Sequence, residues 1–462
     1  MINYTGLSES RVAPIAAELA EKKPQTLIIV SSDTRAARLS QDIGFFLKDK
    51  EIITLYGEDA SFTRYEAKNR DVTIKKLKAL QALRQGVPLV VVAPVSAAIK
   101  KLPPHSFYEK KNLSLEMGKE YPLGLIAEEL TDMGYERYGI VEGTGQFSIR
   151  GGILDIFTPE NDNPVRIEFF GDEVDSIRTF DRETQRSLKN LSKIDIYPAR
   201  EISGGSDFLD RGLAELSKEY EKFAAALSRR EKDPDLKVIL PEKILKTRDE
   251  IKELIENGHN MEMLSNYLHY FFPETEYLWD YMTDGSILID DPDRIYEALE
   301  LTDREAEDDL DVMVERGLAI PKDREAISGT PDFMEALKQS DVTIFTPFPK
   351  RIKGADTFEH VYNLQSRQPL SFNGKMNVLE AELRSYLKKG YEINLLSTSE
   401  ERLENLREFC DRADLRPINF MWGSLSQGID FPLDKRVWLS ERDIFSQPKK
   451  KRERKQETET RP

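Results

Sequence analysis

The sequence predicts a multidomain α/β protein: a parallel-sheet domain, an α+β antiparallel insert, and a small α/β unit at the C-terminal end. Three observations predict it. Up to about Pro103, short apolar runs such as TLIIVSS and PLVVVAP alternate with amphipathic segments, the pattern of parallel strands covered by helices. Between 104 and 200 the runs acquire hairpin spacing and period-two alternation. The α/β alternation then returns from Asp341. A length of 462 residues fits several cores rather than one.

Residues 1–103 carry the strands TLIIVSS, EIITLYG and PLVVVAP, separated by TRAARLSQDIGFFLKD and TIKKLKALQALRQG. Residues 104–200 read as the insert, with one helix around PLGLIAEELTDMGY. Residues 201–323 are rich in Glu, Lys and Leu at helical spacing, as in LDRGLAELSKEYEKFAAAL, and add one strand, SILIDDP, which suits a mostly helical segment completing the first domain. A polar stretch, 324–340, reads as a linker. Residues 341–446 form the final unit through DVTIFTPF, LEAELRSYLKKG, YEINLLSTS and RVWLSERDIF. The tail 447–462 is charged, lacks apolar residues and is expected to be disordered.

Composition narrows the chemistry. A net charge of −16 opposes nonspecific DNA binding, which depends on neutralising phosphates, and favours a protein partner. No apolar run approaches the roughly 20 residues of a membrane span, and the N-terminus lacks a signal segment, so the expected location is cytoplasmic. Cys410 is the single cysteine. With His105, His259, His269 and His360 scattered, it offers no metal-ligand spacing, and no metal is expected. Trp279, Trp422 and Trp438 sit in apolar contexts and read as core residues.

The opening stretch YTGLSESRV, before a helix and a strand, has the outline of a phosphate-binding loop. Such a loop needs converging backbone N–H groups, a Lys for the outer phosphates and a hydroxyl for Mg²⁺. Gly6 is present, but Glu9 and Arg11 replace the glycine and lysine, and a carboxylate at Glu9 repels phosphate. Asp290 and Asp291, after SILI, resemble a metal-holding acidic pair without a nucleotide to serve; turn or capping duty before Pro292 is the simpler reading. Neither a cofactor nor a catalytic residue is expected.

The segment Gly145 to Ser187 is more informative. In VRIEFF, Val165, Ile167 and Phe169 alternate with Arg166, Glu168 and Phe170, so one set faces the core and the other faces out. In QFSIR, Arg150 likewise points out. The apolar parity shifts after Gly151-Gly152, which suggests a bulge. Arg150, Arg166 and Phe170 then share one exposed face, the composition of a binding hot spot; solvated arginines with Phe170 under a loop is the plainer alternative.

The pattern RGGILDIF, then PVRIEFFGDEVDSIR and FD, closing with TQRS, resembles the insert domain of the bacterial transcription-repair coupling factors and, more distantly, that of the excision-nuclease subunit UvrB. Weaker similarity covers the rest of the chain, which resembles the N-terminal region of that family. The resemblance implies a helicase-like, P-loop-type first domain whose nucleotide site has decayed, with Gly6, Glu9, Arg11, Asp290 and Asp291 as its inactive remnant. It also implies that the aromatic DNA-probing hairpin of UvrB is reduced, in LYGEDASFTRYEAKNRDVTIKK, to Tyr56 and Tyr65. The insert is expected to bind UvrA through Arg150, Arg166 and Phe170. A C-terminal regulatory domain is expected to mask that face in the full-length family, and RNA polymerase and DNA to be engaged by domains with no counterpart in these residues. A DNA-dependent ATPase like UvrB, or a scaffold for the remainder of its own chain, are the alternatives.

Overall fold

The computed structural model describes residues 1–57, 70–109, 111–256, 261–355 and 357–445. Tyr65, His259 and the tail 447–462, singled out above, lie outside them. The chain opens with β1 (Ile2–Thr5), β2 (Gln25–Val30), β3 (Glu51–Thr54) and β4 (Leu89–Pro94). The insert contributes β5 (Leu113–Glu116), β6 (Glu136–Arg137), β7 (Gln146–Arg150), β8 (Ile153–Phe157), β9 (Val165–Phe170), β10 (Glu173–Phe180), β11 (Ser187–Leu191) and β12 (Lys193–Ile196). Next come β13 (Gly285–Asp290), β14 (Val342–Thr346) and β15 (His360–Asn363), and finally β16 (Glu392–Ser397), β17 (Asn419–Trp422), β18 (Ile429–Phe431) and β19 (Arg436–Ser440).

Seven of these strands form one parallel sheet in the order β15-β1-β14-β13-β2-β4-β3. Its central strands read as unbroken apolar runs because both faces are covered. Alternate residues feed two cores: Leu27, Ile29 and Val91 on one side, Ile28, Val30, Val90 and Val92 on the other. The helix Asp33–Phe46 starts where Ser32 Oγ accepts the Arg35 N–H at 3.3 Å. It packs on the second face with the helix Ala13–Glu21.

Three domain readings are corrected. DVTIFTPF does not open the final unit: β14 lies between β13 and β1, and β15 closes the edge of the same sheet. Local apolarity cannot tell a late strand of an old sheet from the first strand of a new one. Residues 324–340 are not a linker, because the helix Thr330–Leu337 buries Phe333, Ala336 and Leu337 in the first core. The polar residues that suggested a linker form its first turn, where Asp332 Oδ2 accepts the Gly329 N–H at 2.8 Å. The insert begins later than 104, since Leu102 and Tyr108 also belong to that first core.

The insert sheet has the order β11-β10-β9-β8-β7-β6 and is antiparallel except for β6 beside β7. β5 and β12 pair separately. Between insert and β13, the helices Ser206–Arg230 and Leu236–Glu256 pack around their own core, in which the fully buried Asp323 accepts from Tyr220 at 2.8 Å and Tyr270 at 2.7 Å. The last sheet, β17-β16-β19-β18, packs Leu425, Ile429, Phe431 and Trp438 into the second core of the first sheet. Trp279 and Trp438 are buried as expected, whereas Trp422, on the edge strand β17, is exposed. No helix among the described residues is long and apolar enough to cross a membrane.

Candidate partner-binding face and the opening loop

The loop after β1 is closed by ion pairs. Glu9 takes a left-handed conformation (φ 53°), its carbonyl accepts from Arg35 at 3.0 Å, and its carboxylate pairs with Arg294 at 3.1 Å. The buried Arg35 reaches on to Asp290 at 2.6 Å, and Asp291 pairs with Arg294 at 3.4 Å and Lys350 at 3.6 Å. Glu9, Asp290 and Asp291 are thus brought together around two guanidiniums. Arg11 instead turns back on Ser8, donating Nε to its carbonyl at 2.9 Å and another N–H to its hydroxyl. Gly6 stands apart, with a φ of 80° and the Gln365 nitrogen 2.9 Å from where a Cβ would be. The capping reading of Asp291 fails: it occupies the N-cap position of the helix Pro292–Glu315 but its side chain makes no capping bond. Sequence reasoning missed Arg35, which joins the two stretches, because nothing in the first turn of a helix marks a residue whose partners, Glu9 and Asp290, lie in distant parts of the chain.

On the insert, β7 and β8 form a hairpin in which Arg150 faces Ile153 and Ile149 faces Leu154 across Gly151-Gly152. The glycines therefore make a turn, not the expected bulge. Facing residues of a hairpin share a side, so the parity shift is the turn's own consequence. Gly151 has a φ of 60°, and at Gly152 a Cβ would lie 2.8 Å from the Phe169 carbonyl oxygen. The Phe169 N–H donates to the Gly152 carbonyl at 2.7 Å. Close backbone approach at Gly152 thereby fixes the end of β9, where Phe170 stands 84% exposed.

Asp155 organises the outward face. It lies opposite Ser148 on β7 and Arg166 on β9, and its side chain is 3% exposed. Both oxygens accept from Arg166, at 2.6 and 2.9 Å, and one also accepts from Arg150 at 3.0 Å. One carboxylate serves two guanidiniums, which leaves the pair net positive. Arg166 is further held by Gln185 at 3.0 Å and by the Phe180 ring, 4.5 Å from its guanidinium carbon. Gln185 is placed by a turn in which Asp181 Oδ1 accepts both N–H and O–H of Thr184 at 2.7 Å. The structure therefore separates two residues that alternation made equivalent: Arg150 is 51% exposed and held by one hydrogen bond, while Arg166 is 18% exposed and held by three. Beside them, the Arg178 hydrogen bond holds the Glu168 carboxyl below its usual range. Asp155, Phe180 and Gln185 were missed by the sequence reading. An aspartate at a strand position that alternation assigns to neither core nor turn, in ILDIF, was the available signal.

Comparison with known proteins meets this geometry at the same residues. Residues 113–202, the insert sheet with its helix and β5–β12 pair, match the family model described as the UvrB interaction domain. Over 98% of its length the chain is 28% identical to the transcription-repair-coupling factor of Bacillus subtilis, and over 99% it is 26% identical to those of Staphylococcus epidermidis and Staphylococcus haemolyticus. It spans 39% of the length of each of these relatives. The similarity thus extends through both sheets that flank the matched segment, whose start coincides with β5.

Proposed function

We propose that these residues act as a non-catalytic adaptor that docks UvrA on the insert face and so links damage recognition to RNA polymerase stalled during transcription-coupled nucleotide excision repair. The observation that carries the reading is the exposed Phe170 beside a preorganised, net-positive arginine pair within the UvrB interaction domain. An aromatic anchor next to a guanidinium with free donors suits an acidic, apolar-lined partner surface. Arg150 and Phe170 are assigned the direct contacts, and Arg166 contributes mainly by holding Asp155 and the face in shape.

The first sheet is read as a P-loop-type fold without nucleotide function. Glu9 and Arg35 place a salt-bridge network where converging N–H groups would be needed for phosphate. Calorimetry of the purified chain with ATP, with and without DNA, is expected to show no binding at micromolar nucleotide; micromolar affinity would favour the ATPase alternative. Polymerase and DNA contacts, and a regulatory domain masking the insert face, are assigned to the part of the relatives' length that this chain does not span. Titration of UvrA tests the adaptor reading directly. If masking operates, this chain binds UvrA more tightly than a full-length relative does; equal affinities would remove masking and leave the site intact.

A further inference from the structure

The insert face continues beyond the three residues considered so far. β6 runs parallel to β7 with Glu136 beside Gln146 and Arg137 beside Phe147, and the Tyr138 N–H extends that ladder to the Phe147 carbonyl at 2.8 Å. Residues in register on parallel strands share a side, so Glu136 and Tyr138 lie on the face that carries Ser148 and Arg150. The Tyr138 hydroxyl donates to Glu136 at 3.1 Å, as two residues on one side of a strand can.

The chain after β6 is fixed rather than free. Ser148 Oγ donates to the Gly139 carbonyl at 2.9 Å, and Gln146 Oε1 accepts the Glu142 and Gly143 N–H groups, each at 2.9 Å. Val141 is buried and anchors the loop from below. Two apolar side chains nevertheless point away from the protein: Tyr138 is 46% exposed and Ile140 is 54% exposed. A loop pinned at both ends that holds apolar groups in water is preorganised for burial against something else.

The geometry points to Tyr138 and Ile140 as a second apolar anchor of the UvrA-binding face, across Arg150 from Phe170. This inference rests on the adaptor reading. The strand order β9-β8-β7-β6 sets Phe170, with Arg166, on one side of the face and the Tyr138–Ile140 loop on the other, with Asp155 and Arg150 on the strands between them. The surface of UvrA that fits it presents carboxylates flanked by two apolar recesses. A face with apolar contacts on both sides of a charged centre excludes water from that centre, which is where guanidinium–carboxylate bonds gain strength.

The test titrates UvrA by calorimetry against the wild-type chain, Phe170→Ala, and a double variant, Tyr138→Ala with Ile140→Ala, with melting temperatures measured in parallel. The double variant is expected to bind about tenfold or more weakly at an unchanged melting temperature. Wild-type affinity in the double variant, with binding lost in Phe170→Ala, would remove the second anchor and leave the adaptor reading standing. A wild-type chain that fails to bind UvrA would overturn the adaptor reading and the anchor with it. Should the double variant melt early, hydrogen exchange of the wild-type chain decides: slowed exchange at Gly139 and Ile140 on adding UvrA supports the anchor, and unchanged exchange there overturns it.

Discussion

The opening loop and the insert face are built from the same kinds of residue and end in opposite states. Around Glu9, carboxylates and cations alternate: Arg35 and Arg294 are shared among Glu9, Asp290 and Asp291, and Lys350 closes the series. On the insert, Asp155 alone stands beneath two arginines, and one of them keeps free donors in solvent. Matched charges make a closed lattice, whereas a one-to-two ratio leaves an open valence. The difference teaches that arginine content alone does not set a surface's character: one arginine is buried inside a charge network, while the other is oriented by the fold and left open to solvent.

The largest expected effect comes from removing one member of a buried ion pair. Asp155→Ala leaves two guanidiniums side by side and is expected to destabilise the chain by about 3 kcal/mol in urea unfolding, with UvrA binding lost as a result. Arg35→Ala strands the buried Asp290 and is expected to cost a similar amount, about 3 kcal/mol, while leaving UvrA affinity unchanged. If Arg35→Ala also impaired UvrA binding, the two regions could not be treated as independent.

Next in size are the exposed groups. Phe170→Ala and Arg150→Ala are each expected to weaken UvrA binding by about 2 kcal/mol, with stability changed by no more than about 0.5 kcal/mol. Arg166→Ala sharpens the contrast, because it takes bonds from both Asp155 oxygens and is expected to lower melting temperature as well as affinity. Binding that survives the Arg150→Ala, Phe170→Ala double substitution would reject the face.

A pH effect distinguishes the seam between the insert and the first sheet from both sites. Glu160 of the insert shares a cavity with Arg84, Gln81, Tyr108, Tyr197 and Tyr281, its Oε2 has no hydrogen-bond partner, and burial pushes its carboxyl up to about 7. The folded chain therefore holds a proton that the unfolded chain releases above its ordinary carboxylate range. Stability from this group is fully present at pH 4 and is lost as pH rises toward 7, at a slope below about 1.4 kcal/mol per pH unit. Glu160→Gln is expected to flatten that part of the stability profile without altering UvrA affinity at fixed pH. The smallest effect is salt: raising ionic strength is expected to slow association of UvrA several-fold through the arginine pair.

Much of the fold was legible where periodicity carried it. The buried runs of β2 and β4 and the alternation in VRIEFF declare their surroundings locally, and the parity of Arg166, Glu168 and Phe170 is as the sequence implied. What alternation could not supply was partnership. It placed Arg150 and Arg166 on one face but could not show that Asp155 binds both, because that contact joins three strands. The same limit hid β14 and β15, whose neighbours are β13 and β1, the latter some 340 residues earlier in the chain. Helix Thr330–Leu337 escaped for a different reason: eight residues give only two turns, too short for an apolar stripe to stand out from a polar context.

Ser426 bears on how the last sheet is fastened to the first. Its N–H and hydroxyl donate to the two oxygens of the fully buried Asp42, at 2.7 and 2.6 Å, and Ser10 Oγ lies 2.7 Å from its hydroxyl. Lifting the last sheet off the first would expose Phe45 and Leu425 and leave a carboxylate in the gap without its donors. These bonds oppose separation of the two sheets, and residues 364–375, which join them, are tied to both: the Ser366 N–H donates to the Gly6 carbonyl at 3.2 Å and the Arg367 N–H to the Asp430 carbonyl at 2.9 Å.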